Sequence, residues 1–211
     1  MVVTLVQGQT IALPTGPGGQ PAMRIEAGWT PGALPEMEID PVAFLVGADG
    51  RAGRDEHIVF YNNPVSPCGG VALRDIGANG SRRPRFSLDL ELAAVAPGVA
   101  RILIGVAIHD AVRRGLSFGM LQRIGLVALD RAGASEVAVF EIDAYGRRES
   151  ALVLAEVYRH KGAWKLRAVA QGYVDGLSRL VASVGITVDE APPGPYDPPP
   201  PVLLPPPLIQ I

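Results

Sequence analysis

The sequence predicts an all-β protein with one or two short peripheral helices. Three observations carry this. Short runs of Val, Ile, Leu and Phe recur along the chain, 25 Gly and 20 Pro punctuate them, and 48% of the 211 residues are hydrophobic against 19% charged. Gly and Pro at that density favour turns over helices, so the repeating unit is the short strand of a sandwich or barrel. The apolar share can fill a sizeable core, and no uncharged apolar run approaches the 18 or so residues of a membrane span.

The strands follow in order. Val2–Val6 and Gln9–Leu13 are parted by Gly8, and Ala22–Ala27 and Met37–Val46 each follow a stretch rich in Gly and Pro. His57–Tyr61 ends at Asn62-Asn63-Pro64, Val71–Leu73 follows Gly69-Gly70, and Phe86–Leu92 follows Pro84. Arg101–His109 comes after Pro97-Gly98, then Arg123–Asp130, Glu136–Ile142 and, after Gly162, Trp164–Ala170. Two stretches read as helical. Ser150–His160 sets Leu152, Ala155 and Tyr158 at helical spacing behind a serine cap, and Val174–Val184 repeats the spacing with Leu177, Leu180 and Val184. Either is also what an amphipathic lid on a sheet would look like.

Residues 1–190 read as one domain. Residues 191–211 hold 10 prolines, a composition that builds neither ladders nor helices and predicts an exposed, polyproline-biased tail. A solvated extension and a docking peptide for an aromatic-lined groove are both open to it.

The charge balance excludes several classes. Nineteen Lys+Arg against 21 Asp+Glu leave a net charge of −2, and the 17 Arg are spread thinly, so no basic stripe marks a nucleic-acid partner. The opening Met-Val-Val-Thr-Leu-Val-Gln-Gly has neither the positive region nor the apolar core of a signal peptide. A single cysteine, Cys68, excludes an intramolecular disulfide and a thiolate-rich zinc site, which fits a reducing cytoplasm. In Ser66-Pro67-Cys68-Gly69-Gly70 it reads as a small turn residue.

The chemistry-bearing residues are mostly oxygen donors. Glu36, Glu38 and Asp40 alternate with Met37 and Ile39, so a period of two places the three carboxylates on one strand face. They repel one another unless solvated, paired with Arg, or neutralised by a hard cation that prefers oxygen. Asn62, Asn63, Ser66, Asp75, Asn79 and Asp110 add oxygens in loops, but no EF-hand spacing is present. Gly115-Leu116-Ser117-Phe118-Gly119 matches the G-x-S-x-G string of hydrolases, with His160 downstream. The surrounding strand-loop-strand pattern argues against a nucleophile elbow. His57, His109 and His160 are isolated, and no phosphate loop or dinucleotide fingerprint occurs. Arg82, Arg83 and Arg85 flank Pro84 in a turn, either solvated, paired with acids such as Asp89 or Glu91, or facing an anionic partner.

Longer motifs add a resemblance. Phe60-Tyr61-Asn62-Asn63 with Ser66-Pro67, Leu92-Ala93-Ala94-Val95, Ser117-Phe118-Gly119, and above all Tyr158-Arg159-His160-x-x-x-Trp164-Lys165-x-Arg167-Ala168-x-x-Gln171-Gly172-Tyr173-x-x-Gly176-Leu177 resemble the TerD family of tellurium-resistance and stress-response proteins. The match runs over about residues 1–188, with Val3-Thr4-Leu5-x-x-Gly8-Gln9 and Gly28-Trp29 also fitting. The resemblance implies a β-sandwich of two mainly antiparallel sheets, a bacterial cytoplasmic location, and partners among the host's other stress-response proteins. It also implies calcium binding in loops at one end of the sandwich rather than enzymatic turnover. On that basis the metal ligands are Glu36, Glu38, Asp40, Asn62, Asn63, Asp75 and Asp110, with Asp40 the retained aspartate and Glu38 a homologous substitution. The family's second acidic stretch is replaced here by Ile76-Gly77-Ala78-Asn79-Gly80-Ser81-Arg82-Arg83-Pro84-Arg85. Three guanidiniums in place of carboxylates weaken or abolish a calcium site, since a unit charge at 4 Å repels a like charge by roughly 4 kcal/mol at an effective dielectric near 20. The alternative is a metal-independent scaffold that recruits partners through the Arg82–Arg85 loop or the proline-rich tail.

Overall fold

The computed structural model describes residues 2–15, 21–31, 37–75, 86–131 and 135–186. Two six-stranded sheets pack face to face. The first runs, in spatial order, β1 (Val3–Leu5), β10 (Ser135–Asp143), β9 (Leu121–Asp130), β3 (Ala22–Pro31), β7 (Phe86–Glu91) and β6 (Val71–Asp75). The second runs β2 (Thr10–Ala12), β12 (Ala163–Tyr173), β11 (Ala151–His160), β8 (Arg101–Ile108), β4 (Ile39–Val46) and β5 (Ile58–Val59). All pairings are antiparallel except β1 with β10. β1 and β2 thus tie one edge of each sheet with a single short segment.

Alternation explains the layering. Ile25, Leu88, Leu90 and Leu126 from the first sheet meet Leu45, Ile104, Leu152 and Leu166 from the second in one buried core. Full burial of such side chains is worth roughly 1.5–3 kcal/mol each, which makes this interface the main source of stability. The outer face of the second sheet is also apolar. Val42, Phe44, Ala107, Ala151 and Val153 lie there under Leu180 and Val181 of a helix, α2 (Gly176–Ser183), and under Val184 just after it. The Val174–Val184 reading is therefore confirmed as a helix, and it does lie on a sheet.

The helix expected over Ser150–His160 is instead the central strand β11. Leu152, Leu154 and Val157 face the inter-sheet core while Ala151 and Val153 face α2. A strand buried on both faces loses the alternation that identifies it, and a bulge between Val153 and Ala155 shifts its phase into an apparent helical spacing. β11 and β12 join through Lys161 (φ 51°) and Gly162 (φ 80°), the paired positive φ angles of a tight hairpin turn. The remaining differences are at boundaries. Only Ile58–Val59 of the His57–Tyr61 run is strand, Asp55–His57 being a single 3₁₀ turn, and a short helix, α1 (Ala111–Arg114), follows β8. Residues 191–211 and the Arg82–Arg85 loop lie outside the described residues.

Among the described residues, each outer face carries one buried carboxylate flanked by guanidiniums, Asp89 on the first sheet and Glu156 on the second. On the first sheet Asp89 accepts from Arg24 Nε at 2.8 Å and Arg74 Nε at 3.3 Å, with Arg131 4.0 Å away. Burial pushes the Asp89 carboxyl up, but the Arg24 hydrogen bond and the charges of Arg131 and Arg24 outweigh it and hold the group below the usual carboxylate range. Among the described residues no helix is long and apolar enough to cross a membrane.

Candidate cation site at one end of the sandwich

The connectivity gathers most of the sequence-predicted ligands at one end. β3, β6 and β10 end there, and β4, β7, β9 and β11 begin there, as the registers Asp75↔Phe86, Ala27↔Phe86, Ile142↔Ile124 and Ile39↔Ile108 require. Asp40, the second residue of β4, stands opposite Ala107, and the His109 N–H donates to the Glu38 carbonyl at 2.9 Å, extending the ladder past the strand end. Glu38 is exposed, Ile39 buried and Asp40 half-buried, so the alternation expected from the sequence holds for these two acids. Glu36 lies outside the described residues.

Asp40 is the electrostatically stressed member. Burial, then the charge of Glu38, pushes its carboxyl above the ordinary range, and His109, whose Nδ1 stands 3.9 Å from Asp40 Oδ2, partly offsets this. Asp110 follows in the left-handed region (φ 55°), a conformation that Asp tolerates better than most residues. Its carboxylate is not aimed at the α1 backbone but paired with Arg113, one helical turn on. The two stand at i and i+3, a spacing at which side chains on a helical turn meet. His109 comes beside Asp40 because β8 lies next to β4.

The Asn pair sits across the gap between the sheets. The Phe60 and Asn63 backbones bond reciprocally at 3.1 and 3.0 Å, and the Asn63 side-chain amide donates to Ile58 O at 2.6 Å and Glu56 O at 3.3 Å. Asn63 therefore shapes its own loop with its N–H groups, leaving only its amide oxygen for a cation. Asn62 is exposed. Leu73 N–H donates to Pro64 O at 2.7 Å and Val65 bridges Ala72, which aligns residues 64–66 beside β6 and brings Asn62 and Asn63 level with the Asp75 end of that strand. Among the described residues, no three His, Cys, Asp or Glu side chains stand close enough to hold a metal ion. Calcium takes six to eight oxygens, so these residues do not complete a shell by themselves.

The hydrolase-like string has a structural explanation. Gly115 ends α1 in the left-handed region, and Ser117 is extended (φ −148°, ψ 162°) rather than set on a strained elbow. Phe118 N–H donates to Glu149 O, which holds this segment at the start of β11, whereas His160 is the last residue of that ten-residue strand. At about 3.3 Å per residue the two lie roughly 30 Å apart, too far for a nucleophile and its base. Cys68 sits in the turn that closes on β6, with its sulfur 3.5 Å from Ser66 Oγ.

A family model described as "TerD domain" matches residues 1–183. The chain belongs to the TerD family. It is 32% identical to the tellurium resistance protein TerD of Serratia marcescens over 189 residues, covering 88% of this chain and 98% of that protein. It is 25% identical to general stress protein 16U of Bacillus subtilis (strain 168), covering 89% of this chain and all of the relative. The crystal structure of a homologue of telluride resistance protein (TerD) from Streptomyces coelicolor A3(2) superposes with a TM-score of 0.61 at 23% identity, over 81% of this chain and 100% of that one. This last likeness shows the fold.

In the TerD frame the long C-terminal motif is the β11–β12 hairpin. Arg159 stacks over the Trp164 ring at 4.3 Å and donates to Val99 O at 3.0 Å and Val95 O at 2.8 Å, pinning the β7–β8 connection. The Arg159–Trp164 part of the motif therefore encodes packing.

Proposed function

We propose that this TerD-family chain is a cytoplasmic, non-catalytic protein of the bacterial tellurium-resistance and stress-response class, whose loop end holds calcium weakly. What carries the class is the family match across residues 1–183, together with relatives named for tellurium resistance and general stress. What supports a cation at the loop end is Asp40, half-buried next to Glu38 with only a 3.9 Å approach from His109 to offset it. What supports weak binding is the pairing of Asp110 with Arg113, which calcium must displace, and the arginines at 82, 83 and 85 where acids are expected. Asp40→Asn and Asp110→Asn, introduced together, are expected to abolish calcium binding measured by calorimetry on the full chain. Affinity equal to that of the unaltered protein would remove these residues from the site.

The same neutralisation favours a second reading, a metal-independent scaffold that recruits other stress-response proteins. Deleting residues 191–211 and comparing the proteins captured from the native host separates the two. Loss of captured partners assigns recruitment to the tail, and an unaltered set removes it.

A further inference from the structure

We propose that the outer face of the second sheet carries an anion-binding cleft, built on Glu156, Arg101 and Arg167, that takes a phosphate monoester with a small apolar body. The cleft lies beside α2, away from the loop end, and has a volume of about 480 Å³. A second hollow of about 250 Å³ shares Arg101, Glu156 and Arg167 and extends to Tyr158 and His160.

The floor has more positive charge than its own carboxylate needs. Glu156, buried with 5% exposure, faces Arg167 directly across β11–β12, and Arg101 stands diagonally on β8. Arg101 Nε is 3.5 Å from Oε1 and Arg167 Nη1 is 3.3 Å from Oε2, so each guanidinium takes a different oxygen. One arginine suffices to neutralise a buried carboxylate; the second is surplus. Both arginine side chains remain nearly half exposed, at 48% and 44%, and their other N–H groups are available to the hollow. Glu156 is the one acid among the described residues lining either space. A floor with net charge +1, in a protein of net charge −2, selects an anion. Two planar guanidiniums suit the oxygens of a phosphate.

The walls define the rest of the ligand. On the same sheet face Leu103 and Val169 present partly exposed apolar side chains beside the charged trio, and Val46, Val153 and Val184 line the space from the apolar layer under α2. On the rim, Gln171 Nε2 donates to Tyr173 Oη at 2.9 Å, Tyr173 donates to Ser183 Oγ at 3.2 Å, and Ser183 donates to Leu180 O at 2.6 Å. The carbonyls at the α2 C-terminus would oppose an anion if they were free, and three of them are occupied. Val181 O accepts from Val184 N–H, Ala182 O from Gly185 N–H, and Val184 O from Ala52 N–H. A charged floor, apolar walls and a fixed hydroxyl rim are the ordinary parts of a small-molecule site.

The test is calorimetric titration of the full chain with phenyl phosphate and with inorganic phosphate, in EGTA so that cation binding plays no part. Saturable binding is expected at millimolar concentration or below, tighter for phenyl phosphate than for inorganic phosphate. Glu156→Gln raises the floor charge by one and is expected to tighten binding about tenfold, while Arg101→Gln and Arg167→Gln each weaken it about tenfold. Arg123→Gln, on the exposed face of the other sheet, leaves it unchanged. Should a single arginine variant fail to fold, the triple variant with Gln at 101, 156 and 167 removes the buried charge and is expected to fold without binding. No saturable binding, or binding indifferent to both arginines, overturns the proposal.

Discussion

Trp164→Ala is expected to lower stability by about 3–5 kcal/mol, and with it the melting temperature by roughly 10 °C for a domain of this size. The indole is 1% exposed, in the core formed between the sheets, and a large aromatic removed from such a site leaves a cavity as well as losing its transfer energy. The loss does not stop at the ring. Arg159 lies over it at 4.3 Å while its guanidinium holds the carbonyls of Val95 and Val99. With the platform gone, the segment from Leu92 to Ala100 loses one wall of its seat. Chemical denaturation read by far-ultraviolet circular dichroism checks this, and a variant within 1 kcal/mol of the parent would show that the indole is not a keystone of the hairpin.

Gly119→Ala is the second large effect expected, about 2–3 kcal/mol of destabilisation. An added Cβ at this position would lie 2.3 Å from Arg147 O and 2.7 Å from Arg147 N, both backbone atoms that cannot swing aside. Gly119 N–H donates to Arg147 O at 2.9 Å, so this contact joins the β8–β9 and β10–β11 connections at the loop end. At Gly125 an added Cβ meets nothing within 4 Å, and Gly125→Ala serves as the control. Comparing urea midpoints of the two variants decides the point; equal midpoints would mean that the two connections do not press on each other.

Most of the fold was legible because most strands have one apolar face. Met23, Ile25 and Ala27 alternate with Arg24 and Glu26, and that period of two states both the strand and its inner face. β11 was not legible for the opposite reason, since every residue from Ala151 to Val157 is buried. α1 is four residues long, too short for any periodicity to appear. The candidate cation site was half legible. Glu38 and Asp40 share a face because the spacing dictates it, and Asn62, Asn63, Asp75 and Asp110 fall at the loop end because strand ends do. What spacing could not give is which acids already have a cation. His109 beside Asp40 depends on the β4–β8 register, and the Glu156, Arg101 and Arg167 cluster depends on β8 lying beside the β11–β12 hairpin.

The calcium proposed for the loop end is expected to bind weakly. Thermal unfolding of the full chain in EGTA, in millimolar magnesium and in millimolar calcium tests this most directly. A ligand about ten times above its dissociation constant adds roughly 1.4 kcal/mol, or about 3–6 °C in a domain of this size. A rise of that order is expected in calcium and none in magnesium. An unchanged melting temperature in calcium, or an equal rise with magnesium, would contradict it.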